Sequence, residues 1–157
     1  MKKNISRILF VVLFTTALST AQDINKNFTF TSEKPKPGDI LAIQFNPSKT
    51  SLENKEVALT VYSVKNGILN AEEYSMNKEE NLWQYKYQIP DTSQALGIKF
   101  LSVNKKISDH EEEKTIAIQL FDKSGKLLRG TKAACAYIVG YQGIVNEKAD
   151  EKSAYKL

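Results

Sequence analysis

The sequence predicts an all-β protein, an antiparallel immunoglobulin-like β-sandwich with a short helical C-terminal tail. Three observations predict it. Apolar runs of strand length recur at intervals of roughly eight to fourteen residues. One of them, Leu82–Ile89, alternates apolar and polar residues without a break, as a half-buried antiparallel strand must. Between the runs stand turn-formers such as Lys65-Asn66-Gly67 and Asp122-Lys123-Ser124-Gly125-Lys126. The Cys-Trp-Cys pattern of antibody domains is absent, so strand number and spacing carry the expectation.

The first segment, Met1–Ala21, reads as a secretory signal peptide. Lys2, Lys3 and Arg7 form a basic start, Ile8–Leu18 an apolar core, and Ser19-Thr20-Ala21 a small-residue cleavage site after Ala21. The apolar core is short of the ~20 residues that a membrane span needs. Gln22–Asn27 is a polar leader. Phe28–Thr31 is a short β-type run, and the prolines of Glu33-Lys34-Pro35-Lys36-Pro37 exclude helix and favour an extended edge or turn. Gly38-Asp39 permits reversal into Ile40–Phe45, whose Leu41, Ile43 and Phe45 share the expected core face.

Asn46-Pro47-Ser48 ends that strand, and a polar loop runs to Lys55. Val57–Val64 follows, with Val57, Leu59 and Val61 on one face and Tyr62 and Val64 on the other. Leu69–Met76 is weakly patterned, with Tyr74 and Met76 on one face, and Asn77–Asn81 reads as a charged turn. In Leu82–Ile89, Trp83, Tyr85, Tyr87 and Ile89 share a face, and each aromatic contributes up to about 2–3 kcal/mol if that face is buried. Pro90-Asp91 stops the strand. Ile98–Val103 is the next, Asn104–Lys114 a long polar loop, and Thr115–Phe121 a strand with Ile116, Ile118 and Leu120 on one face. Asp122–Lys126 turns the chain into Leu127-Leu128. Gly130–Gly143 is compatible with a last strand or a short helix. Asn146–Leu157 reads as the polar start of a helix, too short to stand alone.

Charge narrows the function. Three of the 22 basic residues and none of the 18 acidic residues precede Gln22, so the remaining chain is 19 basic against 18 acidic. That is no electrostatic footprint for nucleic acid. The single cysteine, Cys135, allows neither an intrachain disulfide nor a two-cysteine redox centre. Its alanine neighbours suggest a buried, inert thiol, and no histidine lies near it to activate it. Asp109-His110-Glu111-Glu112-Glu113 holds metal-type ligands but lacks the spacing of a zinc or EF-hand motif, and reads better as a solvated acidic loop. No nucleophile elbow surrounds a serine and no phosphate-binding glycine loop is present. The aromatic stripe Trp83, Tyr85 and Tyr87 has two readings, core packing or a ligand surface for sugars or peptides.

One phrase reaches further. Ser32-Glu33-Lys34-Pro35-Lys36-Pro37-Gly38-Asp39-Ile40, then Phe45-Asn46-Pro47 and Leu52, resembles the opening of a family of secreted proteins common in Bacteroidetes. Leu82-Trp83-Gln84-Tyr85 to Ile89-Pro90-Asp91, Ile98-Lys99-Phe100, and Leu120–Lys126 to Arg129-Gly130 are similar to its later strands and glycine turn. The resemblance covers about Phe28 to Tyr141 and implies an N-terminal sandwich domain preceding a helical segment and a thioredoxin-like domain of the thiol-disulfide reductase type. The family's Cys-x-x-Cys pair belongs to that last domain and has no counterpart here, so no catalytic residue carries over.

The expectation is therefore a signal peptide (1–21), a sandwich domain (22–143) and a helical tail (144–157), the tail being the truncated start of a following segment. The implied function is a non-catalytic accessory or interaction domain of a periplasmic or secreted thioredoxin-like redox protein, without cofactor. Its partner would be a thioredoxin-like domain or an envelope protein, with no nucleic acid and no membrane span after cleavage. The alternative is a stand-alone secreted module that binds carbohydrate or protein.

Overall fold

The computed structural model describes residues 27–104 and 115–145. The signal peptide with its cleavage at Ala21, the Asp109–Glu113 cluster with His110, and the helical reading of residues 146–157 lie outside the described residues.

Among the described residues there are eight strands and one helix: β1 Phe28–Phe30, β2 Ile40–Phe45, β3 Val57–Lys65, β4 Ile68–Ser75, β5 Asn77–Glu79, β6 Leu82–Gln88, β7 Ser93–Ser102, β8 Ile116–Gln119 and α1 Thr131–Val145. They form two four-stranded sheets, β1-β2-β6-β5 and β4-β3-β7-β8. Every pairing is antiparallel. Lettered in chain order, the sheets read ABED and C′CFG, the immunoglobulin-like arrangement that the strand spacing predicts.

Alternation builds the core. Leu41, Ile43 and Phe45 of β2, Val57, Leu59 and Val61 of β3, and Leu96, Ile98 and Phe100 of β7 are buried between the sheets, joined by Trp83, Tyr87 and Ile89. Phe45 and Phe100 stack across the interface with ring centroids 4.3 Å apart. Two crossings tie the sheets together. After β1 the proline segment leaves the first sheet, and the Pro35 carbonyl accepts from the Phe121 N–H beyond β8 at 2.9 Å. At the opposite flank the buried Met76 is the pivot by which the chain passes from β4 in one sheet to β5 in the other.

A third layer covers the outer face of the second sheet. Ala134, Cys135 and Ile138 of α1 pack on Val64 and Ala95, with Tyr62, Leu69 and Ala117 around them. Alanines favour helix here. The helix start is fixed to the sheet because the Thr131 hydroxyl accepts from the Leu120 N–H at 3.0 Å. Close approach depends on Gly97 in the middle of β7. A Cβ there would lie 2.6 Å from Ile138 Cγ2 and 2.7 Å from Thr115 Cγ2.

Four elements differ from the sequence expectation. The run Gly130–Gly143, compatible with strand or helix, is helix from Thr131 onward, so α1 starts well before the expected tail at 144. The charged segment Asn77–Asn81 is not all turn, since Asn77–Glu79 pairs with β6. The strand expected over Ile98–Val103 begins at Ser93, because Gly97 hides its continuation from an apolar pattern. The strand expected over Thr115–Phe121 is regular only over Ile116–Gln119, and Phe121 then bridges to Leu127.

Candidate functional site

Trp83, Tyr85 and Tyr87 lie on the inward face of β6. Trp83 is 8 % exposed and Tyr87 5 %, while Tyr85 is half-buried and packs against the same core. They do not form an exposed ligand platform; burial of an alternating aromatic stripe is the stronger driving force. Lys78 sits 5.9 Å above the Trp83 ring on the outer rim.

Two of the three join a cluster that sequence reasoning did not assemble. Tyr74 of β4 stacks on Tyr85 at 4.7 Å and meets Tyr87 edge-on at 5.9 Å. The Tyr74 hydroxyl donates to the Glu72 carboxylate. Burial holds the Tyr74 phenol above its ordinary range, reinforced by that hydrogen bond and by the Glu72 charge. Tyr87 is raised in the same way by burial and by Glu72, with the Ser63 hydroxyl partly opposing. At neutral pH these phenols are protonated, hydrogen-bonding side chains.

The cluster marks the place where the sandwich is open. β5 pairs with β6 only from Leu82 to Gln84. From Tyr85 to Gln88, β6 pairs with β2 alone among the described residues. Antiparallel alternation gives the direction of its free groups. The Ile89 N–H donates to Asp39 on the β2 side, so the odd positions Tyr85 and Tyr87 bond β2. Lys86 and Gln88 therefore turn their N–H and C=O groups toward the line beyond β5, where no described strand pairs with them. Tyr74 and Glu72 of β4 stand at this gap, and Asn70 and Ile68 follow on the same side of that strand. Ile68 is 66 % exposed, and Asn70 and Glu72 are exposed too, although the same alternation buries Tyr74 partly and Met76 fully.

The other side of β4 is a sheet edge. Met76 N–H donates to the Val57 carbonyl, which puts Tyr74, Glu72, Asn70 and Ile68 in the pairs that bond β3. Leu69, Ala71, Glu73 and Ser75 point their backbone groups outward. The hairpin that sets this register is a two-residue turn with Asn66 at φ 49° and Gly67 at φ 77°, a type I′ geometry. On the third layer, Tyr137 and Tyr141 of α1 lie edge to face at 6.5 Å and are 46 % and 39 % exposed.

Cys135 is fully buried between α1 and the sheet. Burial pushes its thiol up to about 11, with the Thr131 hydroxyl partly offsetting the shift, so it is no nucleophile at neutral pH. Among the described residues no group of three His, Cys, Asp or Glu is placed to hold a metal ion. No helix among them is long and apolar enough to cross a membrane.

What this geometry offers is recognition by backbone: two stretches of strand edge along one flank, with tyrosine hydroxyls and a carboxylate between them. The sequence signal for it is Asn70 and Glu72 in a strand whose other inward residues are apolar or aromatic. Comparison of the chain with known protein families, curated proteins and solved structures finds no match.

Proposed function

We propose that this chain is a non-catalytic interaction domain, exported to the periplasm or beyond, that serves as the accessory module of a thioredoxin-like redox protein. The observation that carries the interaction role is the open flank: Lys86 and Gln88 of β6 and the outer edge of β4 present backbone donors and acceptors that a partner strand can take up. The redox context rests on the sequence resemblance. The segments that bear it form the Pro35 crossing, β6, and the Asp122 turn that leads into α1. A buried thiol fits a module that leaves thiol chemistry to another domain.

The test has two parts. Export in a bacterial host and mass determination of the periplasmic product should give a chain beginning at Gln22. Sequencing the gene past codon 157 and its neighbours should reveal a Cys-x-x-Cys domain, and that domain should bind the purified chain. A cytoplasmic, uncleaved product overturns export. A genomic context without any such domain overturns the redox assignment and leaves the stand-alone binding module.

A further inference from the structure

We infer that the open line beside β6 is a strand-addition slot for an extended, lysine- or arginine-bearing segment of a partner polypeptide. The inference rests on the reading of this chain as an interaction domain and names the partner's chemistry.

The slot is the place that a longer β5 would fill. β5 stops opposite Gln84, where Met76 carries the chain across to the other sheet. Lys86 and Gln88 continue the same outward row of backbone groups. An incoming strand antiparallel to β6 would extend the line of β5 and take up those groups. Its side chains on one face would meet Tyr85 and Tyr87, and the inward but exposed Ile68, Asn70 and Glu72 of β4 form the opposite wall.

Charge selects the occupant. The β3–β4 and β5–β6 hairpins beside the slot carry four glutamates (Glu72, Glu73, Glu79 and Glu80) against three lysines (Lys65, Lys78 and Lys86), in a protein whose total formal charge is +4. A second copy of the chain would bring this acidic flank against itself, and like charges across paired strands are destabilising. A cationic segment is attracted to it, with Glu72 the carboxylate inside the slot.

The experiment uses the chain from Gln22 to Leu157, isotope-labelled for NMR, and an acetylated, amidated probe peptide Lys-Val-Thr-Val-Lys-Val-Thr-Val-Lys. The controls are the same peptide with Glu for Lys and a copy methylated on alternate backbone nitrogens. The expected result is that the probe shifts the Lys86 and Gln88 amides and slows their hydrogen exchange by about tenfold or more. The Glu peptide should bind several-fold more weakly and the methylated one not at all. Glu72→Gln should weaken the probe by roughly 2–5-fold. Lys86→Pro removes an outward N–H without removing a bond to β2, and should fold yet lose binding.

Three results overturn the inference. One is no shift at Lys86 and Gln88 at millimolar probe with the fold intact. Another is protection of both amides before any peptide is added, which would assign the slot to a segment of this chain. The last is a concentration-dependent dimer that Lys86→Pro dissolves, which would assign it to a second copy. If the slot fails while the chain still binds a Cys-x-x-Cys domain, the interaction role stands and the site lies elsewhere, on β4 or α1.

Discussion

At the scale of single residues, two glycines make opposite demands. Gly97 of β7 faces Ile138 of α1, and a methyl group there meets Ile138 Cγ2 at 2.6 Å and Thr115 Cγ2 at 2.7 Å. Gly97→Ala should cost about 1–3 kcal/mol by overpacking, read as a lower urea midpoint. Combining it with Ile138→Ala, which opens that space, should give less than the sum of the two single losses. Gly140 lies inside α1 with nothing within 4 Å of its would-be Cβ. Gly140→Ala should therefore stabilise by about 0.5–1 kcal/mol, and a loss of stability there would mean that α1 does not pack as described. The third residue is Cys135. With its thiol pushed up to about 11 and the side chain buried, labelling by a thiol reagent at neutral pH should track global unfolding and slow in step with any stabilising change. Rapid labelling of the folded protein would show that α1 opens on its own.

At the scale of elements, β4 provides a direct test of which backbone groups are free. Asn70→Pro removes the N–H that bonds the Ser63 carbonyl and leaves that buried acceptor unmade, whereas Ala71→Pro removes an N–H that points outward. Asn70→Pro should be the more damaging by about 1–3 kcal/mol in thermal or urea unfolding; equal losses would mean that the register of β4 is shifted by one residue. The same element shows what a sequence can and cannot disclose. The stripe Trp83, Tyr85, Tyr87 and Ile89 and the pair Asn66-Gly67 are legible because each is a local rule, period two in one case and positive φ in the other. β5 is hidden because Asn77-Lys78-Glu79 has no apolar residue, being held by pairing at an edge rather than by burial. The first half of β7 is hidden by Gly97, whose lack of a side chain serves the helix above it and not the strand. α1 reads as strand or helix because Ala134, Cys135 and Ile138, the apolar residues it is described as burying, are mostly small and make a weak stripe. The open flank is the least legible feature, since Ile68, Asn70 and Glu72 become a wall only once β5 is known to stop short.

At the scale of the whole molecule, three tyrosines sit at the joints between layers. Tyr62 lies between the second sheet and α1, where burial raises its phenol, the Thr115 hydroxyl partly opposes, and Tyr141 adds a small upward push. Tyr74 and Tyr87 lie between the two sheets at the open flank, raised first by burial and then by Glu72. The folded protein thus keeps protons on these phenols to higher pH than the unfolded chain does. Their contribution to stability is complete below the ordinary value of 10.0 and is lost as pH rises through the folded values. The melting temperature should accordingly hold steady up to about pH 10 and then fall. Tyrosinate absorbance should show the ionisation of Tyr62, Tyr74 and Tyr87 delayed until the fold is lost. Tyr87→Phe should flatten the alkaline decline, because the group that must ionise between the sheets is gone while most of its ring packing remains. Ionisation of Tyr62, Tyr74 and Tyr87 in the folded protein, with a melting temperature unchanged through the same range, would show that water already reaches both interfaces. In that case the flank would be open deeper than Ile68 and Glu72, and the layers would be joined by their aliphatic cores alone.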